Sequence, residues 1–310
     1  MTQNDLLKRF FSGDQRALAR LISIVENENS HADSYLNEIY NHMKGAYRIG
    51  ITGPPGAGKS TIADQLVRQY RDAGKTVGVI AVDPTSPFTG GALLGDRVRM
   101  MDSELDPGVF IRSMATRGSL GGLSKTAQDV ADVMDAFGKD VIFLETVGVG
   151  QSELDIIQTA DATVVVLVPE SGDSVQAMKA GLMEIGDIFV LNKSDHEGAD
   201  RAYVEIKSVL QLKPVRDDWR PPVLQTVASE GGGIEELYEK LQEFHLYQKE
   251  HHILDRKFQQ RIESRIRRYL NEQVLKHYWD AEKEEKFRSG MQEILTRQKS
   301  LQQLLKDFIK

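Results

Sequence analysis

The sequence predicts an α/β fold in which a mostly parallel central sheet is flanked by helical segments at both ends of the chain. Three observations support this prediction. Short apolar runs alternate with amphipathic helical stretches between residues 45 and 248, which is typical of a parallel sheet covered on both faces. A glycine-rich phosphate-binding loop follows the first of these runs. Residues 1–44 and 249–310 carry apolar residues at helical spacing and no strand pattern. We therefore expect an N-terminal helical segment (1–44), a central domain (45–248) and a C-terminal helical arm (249–310).

The N-terminal segment is predicted to form helices that pack on the central domain. Apolar residues recur at helical spacing in its first part: Leu18, Leu21, Ile22 and Val25. The polar stretch 26–30 interrupts this pattern, and a second helix is expected near residues 33–43.

The central domain contains six apolar runs that predict strands: Ile49–Thr52, Val77–Val82, Val141–Leu144, Thr163–Val168, Ile188–Leu191 and Val223–Thr226. A seventh run, Val109–Ile111, is weaker. Helices are predicted near 59–73, 124–136, 175–185, 199–210 and 234–247. Ligands of open parallel sheets bind beyond the carboxyl ends of the strands, so the side chains that follow these runs are the candidate functional residues.

The C-terminal arm is predicted to form two long helices. The first has an apolar stripe: Phe258, Ile262, Ile266, Tyr269 and Leu270. The second has a coiled-coil-like seam: Phe287, Met291, Ile294, Leu301, Leu305 and Phe308. Such an arm packs on its own domain or on a second subunit, and we expect a homodimer. The basic residues of the first helix are diluted by acids, which favours a solvated face over a nucleic-acid contact.

Composition limits the class of protein. The chain has 310 residues, a net charge of −7 and no cysteine. The negative charge argues against nucleic acid and anionic membranes as partners, and the missing cysteines exclude disulfides and cysteine-ligated metals. The N-terminus lacks the apolar run of a signal peptide, and no stretch is long and apolar enough for a membrane span. We therefore expect a cytoplasmic protein.

The phosphate-binding loop is the strongest motif. It matches G-x-x-x-x-G-K-[ST] at every required position and consists of Gly53, Pro54, Pro55, Gly56, Ala57, Gly58, Lys59, Ser60 and Thr61. Its glycines let backbone N–H groups surround a phosphate. Lys59 supplies a positive charge to the β- and γ-phosphates, and Ser60 offers a hydroxyl to Mg²⁺. The N-terminus of the following helix adds a partial positive charge.

A second motif, N-K-x-D, predicts recognition of guanine. Asn192, Lys193 and Asp195 directly follow a predicted strand. Guanine presents adjacent N1–H and N2–H₂ donors, and the Asp195 carboxylate can accept both. Adenine would place an acceptor against the same carboxylate, which makes discrimination large. Asn192 can brace the loop and contact the base, and the Lys193 stem can cover the ring. The backbone N–H of Ala228, after the next strand, is the candidate donor to guanine O6.

Acidic residues at other strand ends are candidates for a magnesium and switch network. Asp83 ends a predicted strand beside the phosphate loop, which suits Mg²⁺ or one of its waters. Asp96 lies at the end of a Pro- and Gly-rich loop and is either a member of this network or a helix N-cap. Glu145 and Gly148 occupy the positions of the usual D-x-x-G switch, with glutamate in place of aspartate.

The residue after Gly148 predicts slow hydrolysis. Some GTPases place a water-orienting glutamine there. This chain has Val149, which cannot orient water, and its nearest glutamine is Gln151. We therefore expect another group or a partner to complete the reaction. From the residues alone, Asp173 is a helix cap and Lys179 is a surface lysine.

The histidines 245, 251 and 252 are the one histidine cluster in the sequence. They lack acidic partners at metal-ligand spacing, which favours a solvated helix junction over a metal site.

Taken together, these motifs resemble the G proteins associated with methylmalonyl-CoA mutase, the MeaB/ArgK type that is also labelled LAO/AO transport system kinase. The resemblance covers essentially the whole chain. It rests on the phosphate loop, on N-K-x-D, and on distinctive strings: V-D-P-T-S-P from Val82, G-D-R from Gly95, R-G-S-L-G-G-L from Arg117, E-T-V-G-V-G-Q from Glu145 and G-D-S-V-Q-A-M-K-A-G from Gly172.

The resemblance implies a homodimeric Mg²⁺-dependent GTPase that acts as a chaperone for a coenzyme-B12-dependent acyl-CoA mutase. Such proteins gate delivery of adenosylcobalamin and help to remove damaged cofactor. It also implies that the stretch from Asp173 to Lys179 is a third switch whose end residues support hydrolysis when the client is bound. Asp83, Asp96 and Glu145 would belong to the Mg²⁺ and switch network. GTP and GDP would be the ligands.

Two other functions stay open at this point. One is an ATP-dependent kinase for amino-acid transport, as the alternative family label says, although Asp195 argues against it. The other is a metallochaperone GTPase for nickel enzymes, which would need a Cys/His metal site that the sequence does not show.

Overall fold

The computed structural model describes residues 2–27, 31–83, 105–115, 122–146, 159–169, 181–212 and 218–309. They divide into two compact units, Met1–Asp255 and Arg256–Lys310. The N-terminal helices thus belong to the same unit as the sheet, and the division falls within one long helix. In these ranges, no helix combines the length and the apolarity that a bilayer span requires.

The described part of the first unit contains seven strands in one sheet. They are β1 (Tyr47–Thr52), β2 (Val77–Asp83), β3 (Val109–Ala115), β4 (Val141–Glu145), β5 (Ala162–Leu167), β6 (Ile188–Asn192) and β7 (Val223–Thr226). Their order is β3-β2-β4-β1-β5-β6-β7, and every described pairing is parallel. The predicted α/β fold with a mostly parallel sheet is confirmed.

Helices surround this sheet. They are α1 (Gln3–Phe11), α2 (Gln15–Glu26), α3 (Ala32–Tyr40), α4 (Lys59–Asp72), α5 (Gly122–Phe137), α6 (Leu182–Ile185), α7 (Ala199–Gln211) and α8 (Ile234–Glu250). The remaining helices are α9 (Ile253–Tyr278), α10 (Ala281–Leu295) and α11 (Leu301–Ile309). Side-chain caps fix the N-termini of the first two: Thr2 and Asp5 form a capping box on α1, and Asp14 accepts from two backbone N–H groups of α2.

Both faces of the sheet are covered, which explains why its central strands are largely apolar. On one face, Ile62, Leu66 and Tyr70 of α4 pack with Leu237 and Phe244 of α8. On the other face, the N-terminal helices pack with α5: Leu18, Leu21 and Ile22 join Val130 and Met134 in one cluster. The N-terminal segment therefore completes the cover of the sheet, in agreement with its predicted packing role.

The edge strand β3 is longer than the sequence suggested. It extends to Ala115, whereas the apolar run ends at Ile111. The added residues include Arg112 and Ser113. These polar residues interrupt the apolar pattern, because this edge strand is only half-buried. Arg112 pairs with Glu26 of α2, so the polar residues of this edge strand attach it to the N-terminal helices.

A buried ion pair lies where β1 begins. Arg48 is 3% exposed, and its Nη2 donates to Asp132 Oδ1 of α5 at 2.7 Å and lies 3.8 Å from Asp135 Oδ2. Its backbone N–H donates to the Asp161 carboxylate. Burial raises the pKa of Asp135, an effect opposed by hydrogen bonding from the Lys44 N–H and by the nearby guanidinium. This ion pair therefore connects β1, the strand that precedes the phosphate loop, to α5, the helix on which the N-terminal helices pack.

Arg48→Met is expected to lower the free energy of unfolding by about 3–5 kcal/mol, because it removes the guanidinium that compensates buried carboxylates. Chemical denaturation of the purified protein measures this loss. Arg201→Met is the matched control, since Arg201 is 87% exposed and pairs only with Glu205 one turn away in the described contacts. Equal stability of the two variants would contradict the assignment of a structural role to Arg48.

In the second unit, the structure corrects the predicted single seam between Phe287 and Phe308. The chain forms two helices there, α10 and α11, joined by a turn in which Arg297 has a φ of 61°. Gly290 permits the two helices to touch, because a Cβ at this position would lie 2.2 Å from Leu304 Cδ1. Lys299 pairs with Glu293 and Asp307 and closes the hairpin. A seven-residue pattern alone does not reveal this turn, since both halves keep helical spacing.

Candidate nucleotide-binding site

The phosphate loop connects the end of β1 to the start of α4, as predicted. Gly53, Gly56 and Gly58 have φ values of 141°, 76° and 91°, which favour glycine. Two of them also approach neighbouring groups closely. A Cβ on Gly53 would lie 2.0 Å from the Val166 carbonyl oxygen, and a Cβ on Gly58 would lie 2.3 Å from Asn192 Nδ2. The phosphate loop thus lies close to the end of β5 on one side and to the N-K-x-D loop on the other.

Lys59 and Ser60 begin α4 at the mouth of this loop. The Lys59 Nζ donates to the carbonyl oxygens of Gly53 and Pro54, each at 2.9 Å. These bonds hold the ammonium group inside the loop, where it can attract phosphate. Pro54 is half-buried, Pro55 and Gly56 are exposed, Ala57 is buried, and Thr61 is exposed on the first turn of α4.

Glu145 lies directly against the phosphate loop. It ends β4, where it pairs in register with Ile51 of β1, and its Oε1 accepts a hydrogen bond from the Ser60 hydroxyl. Glu145 is 5% exposed. The parallel pairing of β1 with β4 therefore brings together two residues that the sequence separates by more than eighty positions.

The donor set around Ser60 fits a magnesium ion. A serine hydroxyl and a carboxylate are hard oxygen ligands of the kind that Mg²⁺ prefers beside nucleotide phosphates. Ser60 and Glu145 would hold the ion, and it would supply charge neutralisation to the phosphate oxygens. Asp83 ends β2, two positions beyond Ala81, the residue that pairs with Glu145. The Asp83 side chain lies outside the described residues.

A pair of threonines beside Glu145 was missed by sequence reasoning. The Thr146 hydroxyl lies 3.0 Å from the Thr52 hydroxyl, and the Thr146 N–H donates to the Ile51 carbonyl at 3.1 Å. Both side chains are buried. They fasten the segment that leaves β4 to the start of the phosphate loop. The available signal was a threonine at the carboxyl end of one apolar run and another two residues beyond a second run. The pairing of β1 with β4 was needed to interpret it.

The N-K-x-D loop begins at the end of β6, within reach of the phosphate loop. The Asn192 amide donates from Nδ2 to the Ala57 carbonyl at 2.8 Å. Lys193 has a φ of 56°, a left-handed conformation that non-glycine residues rarely adopt. Asp195 is about half exposed, with 53% of its side-chain surface accessible. Its carboxylate is thus open to a ligand, as guanine recognition requires.

The Ala228 N–H, the predicted donor to guanine O6, makes a hydrogen bond within the protein. Ala228 lies in a short 3₁₀ helix after β7 and is buried, and its N–H donates to Asn192 Oδ1 at 3.1 Å. The predicted contact with guanine O6 would have to share this N–H. The structure nevertheless places Ala228 in the base-recognition region, because Asn192 joins it to the phosphate loop.

Four predicted site residues lie outside the described residues: Asp96, Gly148, Asp173 and Lys179. Val149 and Gln151 lie outside them too. Their proposed roles in the switches and in hydrolysis therefore stay predictions from the sequence.

The histidine cluster does not form a metal centre in the described part of the chain. His245 stacks on Tyr47 with ring centroids 3.8 Å apart, and His251 stacks on Tyr247. Burial lowers the pKa of His245 to about 4, so this imidazole is neutral at physiological pH. Across the described residues, no group of three or more His, Asp or Glu side chains is placed to bind a metal.

The parallel sheet, the phosphate loop and the N-K-x-D loop define a P-loop protein of the class that binds guanine nucleotides. A family model described as methylmalonyl-CoA mutase-associated GTPase MeaB matches residues 18–283. The chain belongs to this family, and the resemblance inferred from its motifs is confirmed.

Individual relatives support the same assignment. A putative GTPase of Pyrococcus horikoshii is 54% identical over 267 residues, which cover 85% of this chain and 84% of the relative. The GTPase ArgK of Escherichia coli is 34% identical over 286 residues, covering 89% and 86%. The mouse mitochondrial methylmalonic aciduria type A homolog is 36% identical over 250 residues, covering 75% and 60%.

A solved structure agrees over the full length of the chain. The crystal structure of an LAO/AO transport system kinase aligns with a TM-score of 0.77 at 26% identity, covering 99% of this chain and 97% of the other. The fold class predicted from the sequence is therefore found in an experimental structure.

Proposed function

We propose that this protein is a Mg²⁺-dependent GTPase that acts as a conformational switch on a coenzyme-B12-dependent acyl-CoA mutase of the methylmalonyl-CoA mutase type. It gates the loading of adenosylcobalamin and protects or reactivates the mutase. The description of its family supports the choice of client, because it names a GTPase associated with methylmalonyl-CoA mutase. The cytoplasmic location stays a prediction from the sequence.

The observation that supports a switch is the hydrogen bond between Ser60 and Glu145. Ser60 belongs to the phosphate loop, and Glu145 opens the E-T-V-G-V-G-Q string. A change in the phosphates bound at Ser60 would therefore be transmitted first to Glu145, and from there to the segment that follows it. This arrangement matches the way in which γ-phosphate and its metal ion hold switch segments in GTPases.

Each group in the site has a separate task during turnover. Lys59 binds the β- and γ-phosphates, and the backbone N–H groups of the loop orient them. Asn192, Lys193 and Asp195 hold the guanine base. Mg²⁺, when bound by Ser60 and Glu145, supplies charge neutralisation at the phosphates. With Val149 after Gly148, intrinsic hydrolysis is slow, and Asp173 and Lys179 support it when the client is bound.

The C-terminal arm, residues 249–310, is proposed to form a homodimer. An apolar stripe on α9 is exposed in the single chain: Ile266, Tyr269, Leu270 and Val274 are 54%, 52%, 55% and 64% exposed. These positions share one helical face. A second copy of the arm would cover this stripe.

Native mass spectrometry tests both assemblies. We expect a dimer of this chain, and a larger complex when a B12-dependent acyl-CoA mutase from the same source is added. The absence of any complex with such mutases would count against a mutase as the client.

An ATP-dependent transport kinase is the alternative that the similarity to the LAO/AO transport system kinase raises. Equal affinity for ATP and GTP would favour this alternative. Tight stoichiometric nickel binding would favour a metallochaperone.

Lys179→Ala is expected to leave GTP binding intact and to abolish mutase-stimulated hydrolysis, because the proposal assigns Lys179 to the reaction only in the complex. Phosphate release with and without the mutase measures this effect. Lys207→Ala is a matched control. It removes the same chemical group, but Lys207 lies over the ring of Tyr203 on α7 and has no assigned part in hydrolysis. Stimulated turnover that survives in Lys179→Ala would exclude the third-switch role.

A further inference from the structure

A histidine follows the N-K-x-D motif directly and lies beside its carboxylate. His196 Nε2 is 3.9 Å from Asp195 Oδ2, and the two side chains are about equally exposed, at 48% and 53%. This distance is too long for a hydrogen bond, so the imidazole leaves the carboxylate oxygens available to a base. It is short enough for attraction between a protonated imidazole and a carboxylate.

The loop that carries both residues is attached to the end of β7. The Thr226 hydroxyl donates to Asn192 Oδ1 at 3.0 Å. The Thr226 carbonyl oxygen accepts from both the N–H and the hydroxyl of Ser194, each at 3.1 Å. The positions on either side of Lys193 are therefore fixed, and the loop enters the next turn from a defined point.

Backbone hydrogen bonds hold His196 next to Asp195. The His196 N–H donates to the Lys193 carbonyl at 3.0 Å, and the His196 carbonyl accepts from the Ala199 N–H at 3.3 Å. Each bond joins residues three positions apart, as in a β-turn. His196 thus ends one turn and begins the next. Because these bonds involve only the backbone, replacement of the imidazole leaves them in place.

Guanine binding would change the surroundings of the Asp195 carboxylate. In the proposed complex its oxygens accept from N1–H and N2–H₂ of the base and lose water on that side. Charges interact more strongly where water is excluded. A positive charge on His196 would therefore stabilise the carboxylate more in the complex than in the free protein, whereas a neutral imidazole would not.

Other charged groups near the loop do not share this behaviour. Of the side-chain types present there, only histidine ordinarily changes charge between pH 5 and 8. The charged side chains on the described parts of the loop and of the elements that adjoin it, apart from Asp195, are Lys59, Lys193, Glu197, Asp200, Arg201 and Glu230. All of them are retained in the variants below, so a difference between variants reports His196.

We propose that His196 is a positioning residue for guanine: its protonated imidazole supports the Asp195 carboxylate while that carboxylate holds the base. The inference rests on the proposed nucleotide site. Binding and protonation must favour each other by the same factor. GDP binding therefore takes up protons at His196, and the added affinity is present when the imidazole is charged and is lost as the pH rises.

The test is isothermal titration of the full-length protein with GDP. His196→Gln keeps a polar side chain and removes the charge. Because a half-exposed ion pair is weak, we expect the parent protein to bind GDP about threefold more tightly than the variant at about pH 6, and equally well at about pH 8. Protonation of the GDP phosphates affects both proteins alike, so the ratio of the two affinities is the quantity to compare.

His252→Gln is the matched control. His252 also lies beside a carboxylate, with its Nδ1 3.1 Å from Asp255 Oδ2, but it belongs to the turn between α8 and α9. Its substitution should leave GDP affinity unchanged at both pH values. His196→Lys provides a second variant, since it keeps a positive charge at both pH values and should bind GDP more tightly than the parent protein at about pH 8.

Proton uptake separates this role from simple stabilisation of the loop. Titration in two buffers of different ionisation enthalpy measures the protons bound together with GDP, and we expect fewer in His196→Gln than in the parent protein. The proposal is wrong if the affinity ratio is the same at both pH values. It is also wrong if His196→Gln binds more tightly at about pH 6, because the imidazole would then compete with guanine. A parent protein that binds no GDP would instead refute the proposed function itself.

Discussion

Asp195→Asn is expected to change which purine nucleotide the protein prefers. The carboxylate can accept from both N1–H and N2–H₂ of guanine, whereas an asparagine would place a donor against one of these donors. We expect affinity for GDP to fall about 100-fold, or about 2.7 kcal/mol. Xanthine carries a carbonyl oxygen where guanine carries its amine, so the variant should bind xanthosine diphosphate more tightly than GDP. Isothermal titration with both nucleotides measures the exchange of preference.

The control for this change is Asp200→Asn, which alters the same chemical group in the first turn of α7. Asp200 is exposed and has no assigned part in base recognition. Its substitution should leave both affinities as they are. If Asp195→Asn behaved like this control, with unchanged selectivity, the assigned base contact would be incorrect.

Gly53→Ala is expected to weaken nucleotide binding strongly while leaving most of the sheet intact. The new Cβ would lie 2.0 Å from the Val166 carbonyl oxygen and 2.9 Å from its carbon. Because β1 and β5 are paired in register up to Thr52 and Val165, the backbone of β5 cannot yield without breaking the sheet. The phosphate loop must move instead, and we expect affinity for GDP to fall by at least about 100-fold, since displaced N–H groups no longer meet the phosphates.

Gly74→Ala is the matched control for Gly53→Ala. Gly74 also has a positive φ, 75°, but a Cβ there meets nothing within 4 Å. It should cost about 1 kcal/mol of stability from backbone strain and leave nucleotide affinity unchanged. Circular dichroism and thermal melts of both variants establish that they are folded. Normal GDP binding by a folded Gly53→Ala protein would show that the close approach to Val166 does not position the loop.

The sequence predicted the elements of the fold well because their signals are local. Central strands are buried on both faces and therefore largely apolar, and the phosphate loop marks the junction of β1 and α4. The edge strand β3 was underestimated because Arg112 contacts Glu26 of α2, a partner that no local pattern shows. The turn at Arg297 was missed because its flanking helices keep the same apolar spacing.

The site was predicted in its residue types but not in its connections. The sequence identified Ser60, Glu145 and Asn192 as candidates from their motifs. That Ser60 contacts Glu145, and that Asn192 contacts Ala57, depends on the strand order, in which β1 lies between β4 and β5. Strand order is a tertiary property, and no spacing in the sequence determines it. The same reason hid the bond from Thr226 to Asn192.

The measurement that tests the proposed function most directly is GTP turnover by the full-length protein, alone and with increasing amounts of a B12-dependent acyl-CoA mutase from the same source. We predict slow phosphate release by the protein alone, because Val149 cannot orient water. We predict a saturable increase on addition of the mutase, with no such increase when ATP replaces GTP. Turnover that is unchanged by every such mutase, or equal with ATP, would contradict a GTPase switch that serves a mutase.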